Sequence, residues 1–465
     1  MAKKIPLFSL VMLIVAAVGS IRNLALAAPF GPALIFFFVF AAIIFLIPTA
    51  LVSAELSAAH PEEGGIYHWV RKAFGEKWGM LAIWLQWINT LIWCPTILAF
   101  IAGIGGYLIH PDLAEDKFYL MGSIIIIFWT LTILNLFGVN VSAKISAFCG
   151  LIGTLVPIAL LIILGFIWAI QGNPLQIDIT VANIFTPGPD YWVSLVAIAA
   201  SFLGIELAGV HVGDIRNPQR NFPKAIILSS SIILCSMLFG ALAIAIVLPP
   251  GKINLISGSL QAIDLFFNEF NAGWLTPIIT VLMVIGSIGG LINWVISPAK
   301  GLLHAAEFGY LPRFLKKKNQ NGVAAHILLI QAVIVSLVCS VFLFIPSVNG
   351  FYWFLTAVST ELYMAMYILM FLSALVLQKK PCPSSYHVPG GKPGLWVLVL
   401  LGLFGCSLTI FVSFIPPPLF EIAGHFEYAL MIGTSNVIAL LPLLYFFRYK
   451  KKLLRKQLLK KSTEQ

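Results

Sequence analysis

Glu206 is a carboxylate inside a run of apolar and small side chains, Tyr191 to Gly213. At ~1.5 Å per residue that run is long enough to cross a hydrocarbon layer of ~30 Å. A carboxylate at that depth costs a few kcal/mol (~2.5 or more for Asp on insertion scales), so it turns toward protein, a partner or a water-filled cavity. Gly204 stands just before it, preceded by Ser201 and Phe202, where a helix can lose its regular hydrogen bonds. Unwound backbone inside a membrane is tolerated only where it is buried or lines a cavity. A second interruption, Gly19-Ser20, falls within LFSLVMLIVAAVGSIRNLALAAPFG and is followed by Arg22 and Asn23. A broken helix frees backbone donors and acceptors, and the half-helix beyond it points N–H groups and partial positive charge at an anion such as a carboxylate. Two broken helices at corresponding places, five spans apart, predict an inverted repeat with a small-molecule site at the membrane midplane. The competing explanation is close packing by small residues, with Glu206 bonded to a neighbouring helix.

Arg22 is a basic residue deep within a span, and Glu361 lies at similar depth in FYWFLTAVSTELYMAMYILMFL. Unlike charges on separate spans relieve each other's desolvation, so the two are expected to face one cavity, paired or on either side of a zwitterion. The alternative for Arg22 is a stem that snorkels outward. In WLTPIITVLMVIGSIGGLINWVISPAKG, Gly286, Gly289 and Gly290 precede Asn293 and Trp294, and a large aromatic beside small residues can either close over a substrate or pack on the next helix. Gln86, Trp87, Asn89 and Trp93 are polar and aromatic positions within reach of such a site, and His211 is either a titrating group or a structural residue.

The elements that must hold these residues are all membrane spans. The chain has 465 residues, 60% of them hydrophobic and only 10% charged, with a mean hydropathy of +0.98. A soluble domain carries ~25% charged residues. Apolar runs fall near 7–29, 33–58, 79–109, 118–138, 146–170, 191–213, 225–248, 274–303, 325–346, 351–378, 394–415 and 427–447. Twelve spans place both termini on one side. Basic residues such as Arg71, Lys144, Arg220, Lys316 and Lys380 share that side, and only Lys117 and Lys252 lie opposite, so the positive-inside rule puts the termini in the cytoplasm. The basic segment 448–465 is either an anionic-lipid contact or a plain stop-transfer anchor. Within GKINLISGSLQAIDLFFNEFNAG the apolar positions predict short surface helices.

The net charge of +10 is scattered between spans with no basic face, which argues against nucleic acid. Six dispersed cysteines suggest neither a disulfide framework nor a zinc site. No nucleophile with its base and no metal-spaced cluster marks an enzyme, and no filter loop marks a channel. The expected architecture is all-α integral membrane: a first repeat over 7–170, a second over 191–378, two added helices over 394–447 and a cytoplasmic tail.

Several motifs together resemble a known group: PEEGGIYHWV at 61–70, FLGIE at 202–206, NPQRNFP at 217–223, KINLISG at 252–258, NQNGV at 319–323 and VPGGK at 388–392. The chain resembles the amino acid–polyamine–organocation transporters, most closely the bacterial glutamate/γ-aminobutyrate antiporters. The resemblance spans essentially the whole chain and implies a five-plus-five inverted repeat with discontinuous helices 1 and 6, plus two helices. It implies alternating access in a bacterial cytoplasmic membrane, with no cofactor and no metal, and with proton coupling left open. The substrate α-carboxylate would meet backbone near Gly19, Ser20 and Ile21, and the α-amino group carbonyls near Phe202, Leu203 and Ile205. Glu206 matches the family's sixth-span glutamate, which helps couple or gate transport, a role also open to Trp294 and Glu361. The sequence departs from the antiporters at Gly290, where they carry an acidic residue, and at Ile21, where they carry tyrosine. Thr154 stands where some proton-coupled relatives have lysine, and the chain stops soon after its twelfth span, so no C-terminal plug is expected. The expected function is amino acid exchange, with proton-coupled symport as the alternative.

Overall fold

The computed structural model describes residues 6–60, 65–137, 148–207, 215, 217–307, 309–344, 347–378, 386–420 and 422–463. Among these every regular element is a helix. The principal ones are α1 (Leu7–Val18), α2 (Arg22–Ala27), α3 (Ala33–Ala59), α4 (Gly65–Phe74), α5 (Glu76–Ile109) and α6 (Lys117–Leu136). After α7 (Phe148–Ile170) come α8 (Ser194–Ala200), α9 (Pro218–Ala245), α10 (Gly258–Glu269), α11 (Thr276–Glu307) and α12 (Ala325–Ser340). The last are α13 (Val348–Leu377), α14 (Gly391–Ser413) and α15 (His425–Thr463).

Ten helices among the described residues are long and apolar enough to cross a membrane, where the sequence predicts twelve spans. The difference lies in two shorter apolar helices, Leu7–Ala16 and Ala325–Ser340. The first is short because its span is cut. Gly19 leaves the helix with φ −63° and ψ 124°, its N–H closing the last turn on the Val15 carbonyl. A Cβ on Gly19 would stand 2.7 Å from that oxygen, so glycine is what lets the helix stop here. Helix resumes at Arg22. In the sixth span α8 ends at Ala200, and residues 201–204 turn before a short 3-10 stretch at 205–207. Gly204 sits at φ +96°, which a residue with a Cβ rarely adopts.

The span containing Glu206 has 72% of its residues buried within the protein, against 17% for the α15 span, so α8 is central and α15 peripheral. Around α8 stand α2, α3, α13 and α14, and α5 packs lengthwise against both α11 and α13. Pro95 sits inside α5 and lacks the N–H that would continue the ladder; next to it the Thr96 hydroxyl turns back to donate to the Trp93 carbonyl at 2.7 Å. Where α7 crosses α11, a Cβ on Gly153 would lie 2.5 Å from the Gly286 Cα, so backbones meet directly there. That is the close approach of small residues expected between helices in lipid.

The outer connection forms α10, with Leu260, Ile263 and Phe266 buried, as its apolar spacing predicts. The described cysteines, Cys94, Cys149, Cys235, Cys339 and Cys406, are free thiols. Cys382, Lys380, Lys144, Lys3, Lys4, Arg216, His211 and the first four residues of PEEGGIYHWV lie outside the described residues.

Candidate substrate-binding site

The Glu206 carboxylate, 2% exposed, is held by two phenols of α13. Tyr363 Oη donates to Glu206 Oε1 at 2.6 Å, and Tyr367 Oη donates to Oε2. The two tyrosines are four residues apart and so share one face of the helix. Gly204 N–H donates to Tyr367 Oη at 3.0 Å, and Gln86 Nε2 reaches Tyr363 Oη at 3.4 Å from α5. Every oxygen of the carboxylate thus has a donor, which is how a buried acid inside a span is supported without a basic partner.

Trp294 of α11 covers this network. A Cβ on Gly204 would come within 2.7 Å of its indole, so the bare glycine is what allows the ring to lie on the turn. The same ring meets Tyr363 at 6.0 Å and Trp93 at 5.3 Å between centroids. Phe202 packs edge-on against Phe38 at 5.9 Å, and Phe202 and Ile205 are fully enclosed. Beside Gly290, one turn before Trp294, a Cβ would meet nothing within 4 Å.

Arg22 opens α2 and lies on the far side of these rings. It is 2% exposed, and its guanidinium carbon sits 5.4 Å from the Trp93 ring centroid and 5.7 Å from that of Tyr352. Nη1 donates to Thr96 Oγ1 at 2.8 Å and to Tyr352 Oη at 3.1 Å. From Arg22 the contacts run through Trp93, Trp294 and Tyr363 to Glu206, so two indoles and a phenol separate the two buried side chains.

Backbone groups at both breaks have no hydrogen-bond partner among the described residues. Among the described residues nothing accepts from the N–H groups of Ser20, Ile21 and Arg22, and nothing donates to the carbonyls of Ser201, Phe202 and Leu203. The Ile21 carbonyl is taken by Ser259 Oγ at 2.9 Å, so the start of α10 is fastened to the first break. Packing of α2 on α8 brings the two interrupted spans side by side. Such a pair of ends offers donors for an anionic group and acceptors for a cationic one.

Gly19, Ser20, Ile21, Arg22, Phe202, Leu203, Gly204, Ile205, Glu206 and Trp294 therefore fall on the two breaks or on the rings beside them. The side chain of Asn293 lies outside the described residues. The expected pairing of Arg22 with Glu361 is corrected: Glu361 accepts from Ser413 of α14 and Asn436 of α15, while Arg22 meets Thr96 and Tyr352. The reason is helical phase. At ~100° per residue Glu361 lies on nearly the opposite side of α13 from both Tyr352 and Tyr363. Of the third-span candidates, Gln86 and Trp93 reach the network and Asn89 Nδ2 donates to the Ser359 carbonyl at 2.6 Å. Trp87 instead packs on Trp84, 5.0 Å between centroids. Sequence reasoning missed Tyr352, Tyr363, Tyr367 and Thr96. A hydroxyl stripe in α13, Tyr352, Thr356, Ser359, Tyr363 and Tyr367, runs at helical spacing and would have pointed to them.

A family model described as amino acid permease matches residues 5–437, nearly the whole chain. The chain belongs to the amino acid permease family. An uncharacterized transporter of Legionella pneumophila is 39% identical to this permease over 97% of the chain and 98% of its own length. A glutamate/γ-aminobutyrate antiporter of Lactococcus lactis is 29% identical, covering 97% of the chain and 92% of the relative. A probable agmatine/putrescine antiporter of the same species is 23% identical over 89% of the permease and 88% of the relative. The permease is thus a multi-pass membrane transporter of the amino acid class, in a family whose members serve amino acids and amines.

Proposed function

We propose that this permease exchanges one amino acid for a related amino acid or amine by alternating access, in the cytoplasmic membrane of a bacterium and with both termini in the cytoplasm. The reading takes twelve spans: an inverted repeat of 7–170 and 191–378, two added helices over 394–447, and the basic tail. The substrate lies between the breaks, its α-carboxylate on the N–H groups after Gly19 and its α-amino group on the carbonyls of Phe202 and Leu203. Trp294 covers it, and Glu206 with its tyrosines responds to whether the cradle is filled. Binding energy is spent on shifting the balance between two states open to opposite sides, since a ligand moves such an equilibrium only through differential affinity. The observation that carries this reading is the adjacency of two runs of backbone without a partner among the described residues, donors at one break and acceptors at the other.

Counterflow in proteoliposomes tests it. Uptake of a labelled amino acid is expected to accelerate several-fold when the vesicles are preloaded with the same compound unlabelled. Uptake that ignores internal substrate but follows an imposed proton gradient identifies symport instead, and no response to any amino acid or amine removes the reading.

A further inference from the structure

The first break is held from the outer connection as well as by its own helices. Ser259, fully buried in the first turn of α10, donates its hydroxyl to the Ile21 carbonyl at 2.9 Å, a bond between residues 238 positions apart. The Leu24 N–H reaches the same oxygen at 3.2 Å, so it has donors from two elements. A trans peptide is planar, and its C=O and N–H point in opposite directions. Fixing the Ile21 oxygen therefore fixes the Arg22 N–H, which points away from Ser259 and has no acceptor among the described residues. Ser259 can hold that plane only if it is itself held, and the turn before it is. Asn254 Oδ1 accepts from the N–H groups of Ile256 at 2.8 Å and Ser257 at 3.0 Å, closing an Asx turn. Asn254 Nδ2 donates to Glu115, in the connection after α5, at 3.1 Å, and the Leu255 N–H donates to Asn349 Oδ1, at the start of α13, at 2.9 Å. A Cβ on Gly258 would stand 3.1 Å from the Ala25 Cβ, and one on Gly103 2.3 Å from Ile256 Cγ2, so the turn lies hard against α2 and α5.

From this geometry we infer that Ser259 is a positioning residue for substrate binding: from the outer connection it orients the Ile21–Arg22 peptide so that the Arg22 N–H is presented to the substrate's α-carboxylate. The inference rests on the cradle proposed above, which puts that carboxylate on the N–H groups after Gly19. A donor already aimed need not be ordered when the ligand arrives, so loss of the hydroxyl appears in affinity and not in the rate of the loaded carrier. Ser259 acts through the backbone of another segment and makes no contact of its own with the ligand. Ser257 supplies the internal contrast. It precedes Ser259 by two residues in the same turn and is 1% exposed, but its hydroxyl has no partner among the described residues.

The test measures counterflow by the full-length protein in proteoliposomes, with L-glutamate and L-glutamine as probes and the one that drives exchange carried forward. Ser259→Ala should raise its KM about fivefold, the size of one net hydrogen bond, and leave the maximal rate within about twofold. Ser259→Thr keeps the hydroxyl and should return KM to within about twofold of wild type, whereas Ser257→Ala should not move it. A wild-type KM in Ser259→Ala overturns the inference. An equal rise in Ser257→Ala overturns it too, because any loss of packing in the turn would then weaken binding. So does a Ser259→Ala protein that melts lower without ligand and loses maximal rate at an unchanged KM, which is what a brace of the fold would do. If Ser259→Thr fails to fold, the two alanine variants decide. The cradle is read separately, through substrate protection of a cysteine placed at position 20. Protection together with an unmoved KM in Ser259→Ala sinks only the role of Ser259, whereas no protection, or no counterflow with either amino acid, sinks the cradle and this role with it.

Discussion

Glu206 and Glu361 are both glutamates in the interior of apolar spans, both nearly sealed from solvent at 2% and 4% exposure, and they do different things. Glu206 sits where its own helix has come apart, and its donors arrive from one face of α13, Tyr363 and Tyr367. Glu361 sits in the unbroken middle of α13 and reaches outward to Ser413 and Asn436 on the two C-terminal helices. One carboxylate borders backbone that has no partner among the described residues and a glycine that an indole covers. The other fastens three intact helices together. Burial and residue type are the same in both, and what separates them is the state of the backbone beside each.

Changes at Glu206 should break this contrast most visibly. Glu206→Gln keeps the shape but puts an amide before the two phenols and removes the group that can gain and lose a proton; exchange should fall on the order of a hundredfold while folded yield stays near wild type, about 2.7 kcal/mol in barrier. Counterflow per folded molecule reads it, and wild-type exchange would remove Glu206 from the mechanism. Gly204→Ala comes next, because it meets both a positive φ and a Cβ contact of 2.7 Å with the Trp294 indole. About a tenfold loss of substrate affinity is expected, at a strain cost of roughly 1–3 kcal/mol. Ligand-induced thermal stabilisation measures that affinity.

Glu361→Ala should do the reverse. It leaves the half-buried Asn436 amide without its acceptor, while Ser413 keeps the Ile410 carbonyl at 2.7 Å; the loss costs roughly 1–3 kcal/mol of stability, seen as a lower melting temperature in detergent, while exchange per folded molecule stays within about threefold. A variant that melts like wild type yet fails to exchange would move Glu361 to the transport side. The smallest effect belongs to Lys450, whose ammonium pairs with Glu76 of α5 and lies 3.8 Å from the centroid of the Tyr310 ring. Lys450→Met should cost no more than about 1 kcal/mol, since a partly exposed ion pair is worth little, and less still in high salt.

The sequence announced both breaks, because Gly19-Ser20 and Gly204 interrupt otherwise apolar runs and a carboxylate follows the second. It also announced the helical class and the ten long spans, which need only length and hydropathy. It could not announce partners. The bonds from Tyr363 to Glu206 and from Arg22 to Tyr352 join residues 157 and 330 positions apart. Nothing local marks a tyrosine whose hydroxyl is in use from one whose ring merely packs. The error over Arg22 and Glu361 has the same origin. Depth within a span can be counted along the chain, but the direction a residue faces depends on which neighbours surround its helix, and Glu361 is turned away from the cradle.

The central claim is that the exchanged substrate sits against the two breaks. It is tested most directly by substrate protection in a variant lacking native cysteines, with Ser20→Cys in one protein and Asp112→Cys, on the exposed connection after α5, in another. Whichever of L-glutamate or L-glutamine drives counterflow should, at saturation, slow methanethiosulfonate modification at position 20 at least about fivefold, in proportion to the fraction of sites filled, and leave position 112 unchanged. Equal rates at position 20 with and without that amino acid would contradict the account.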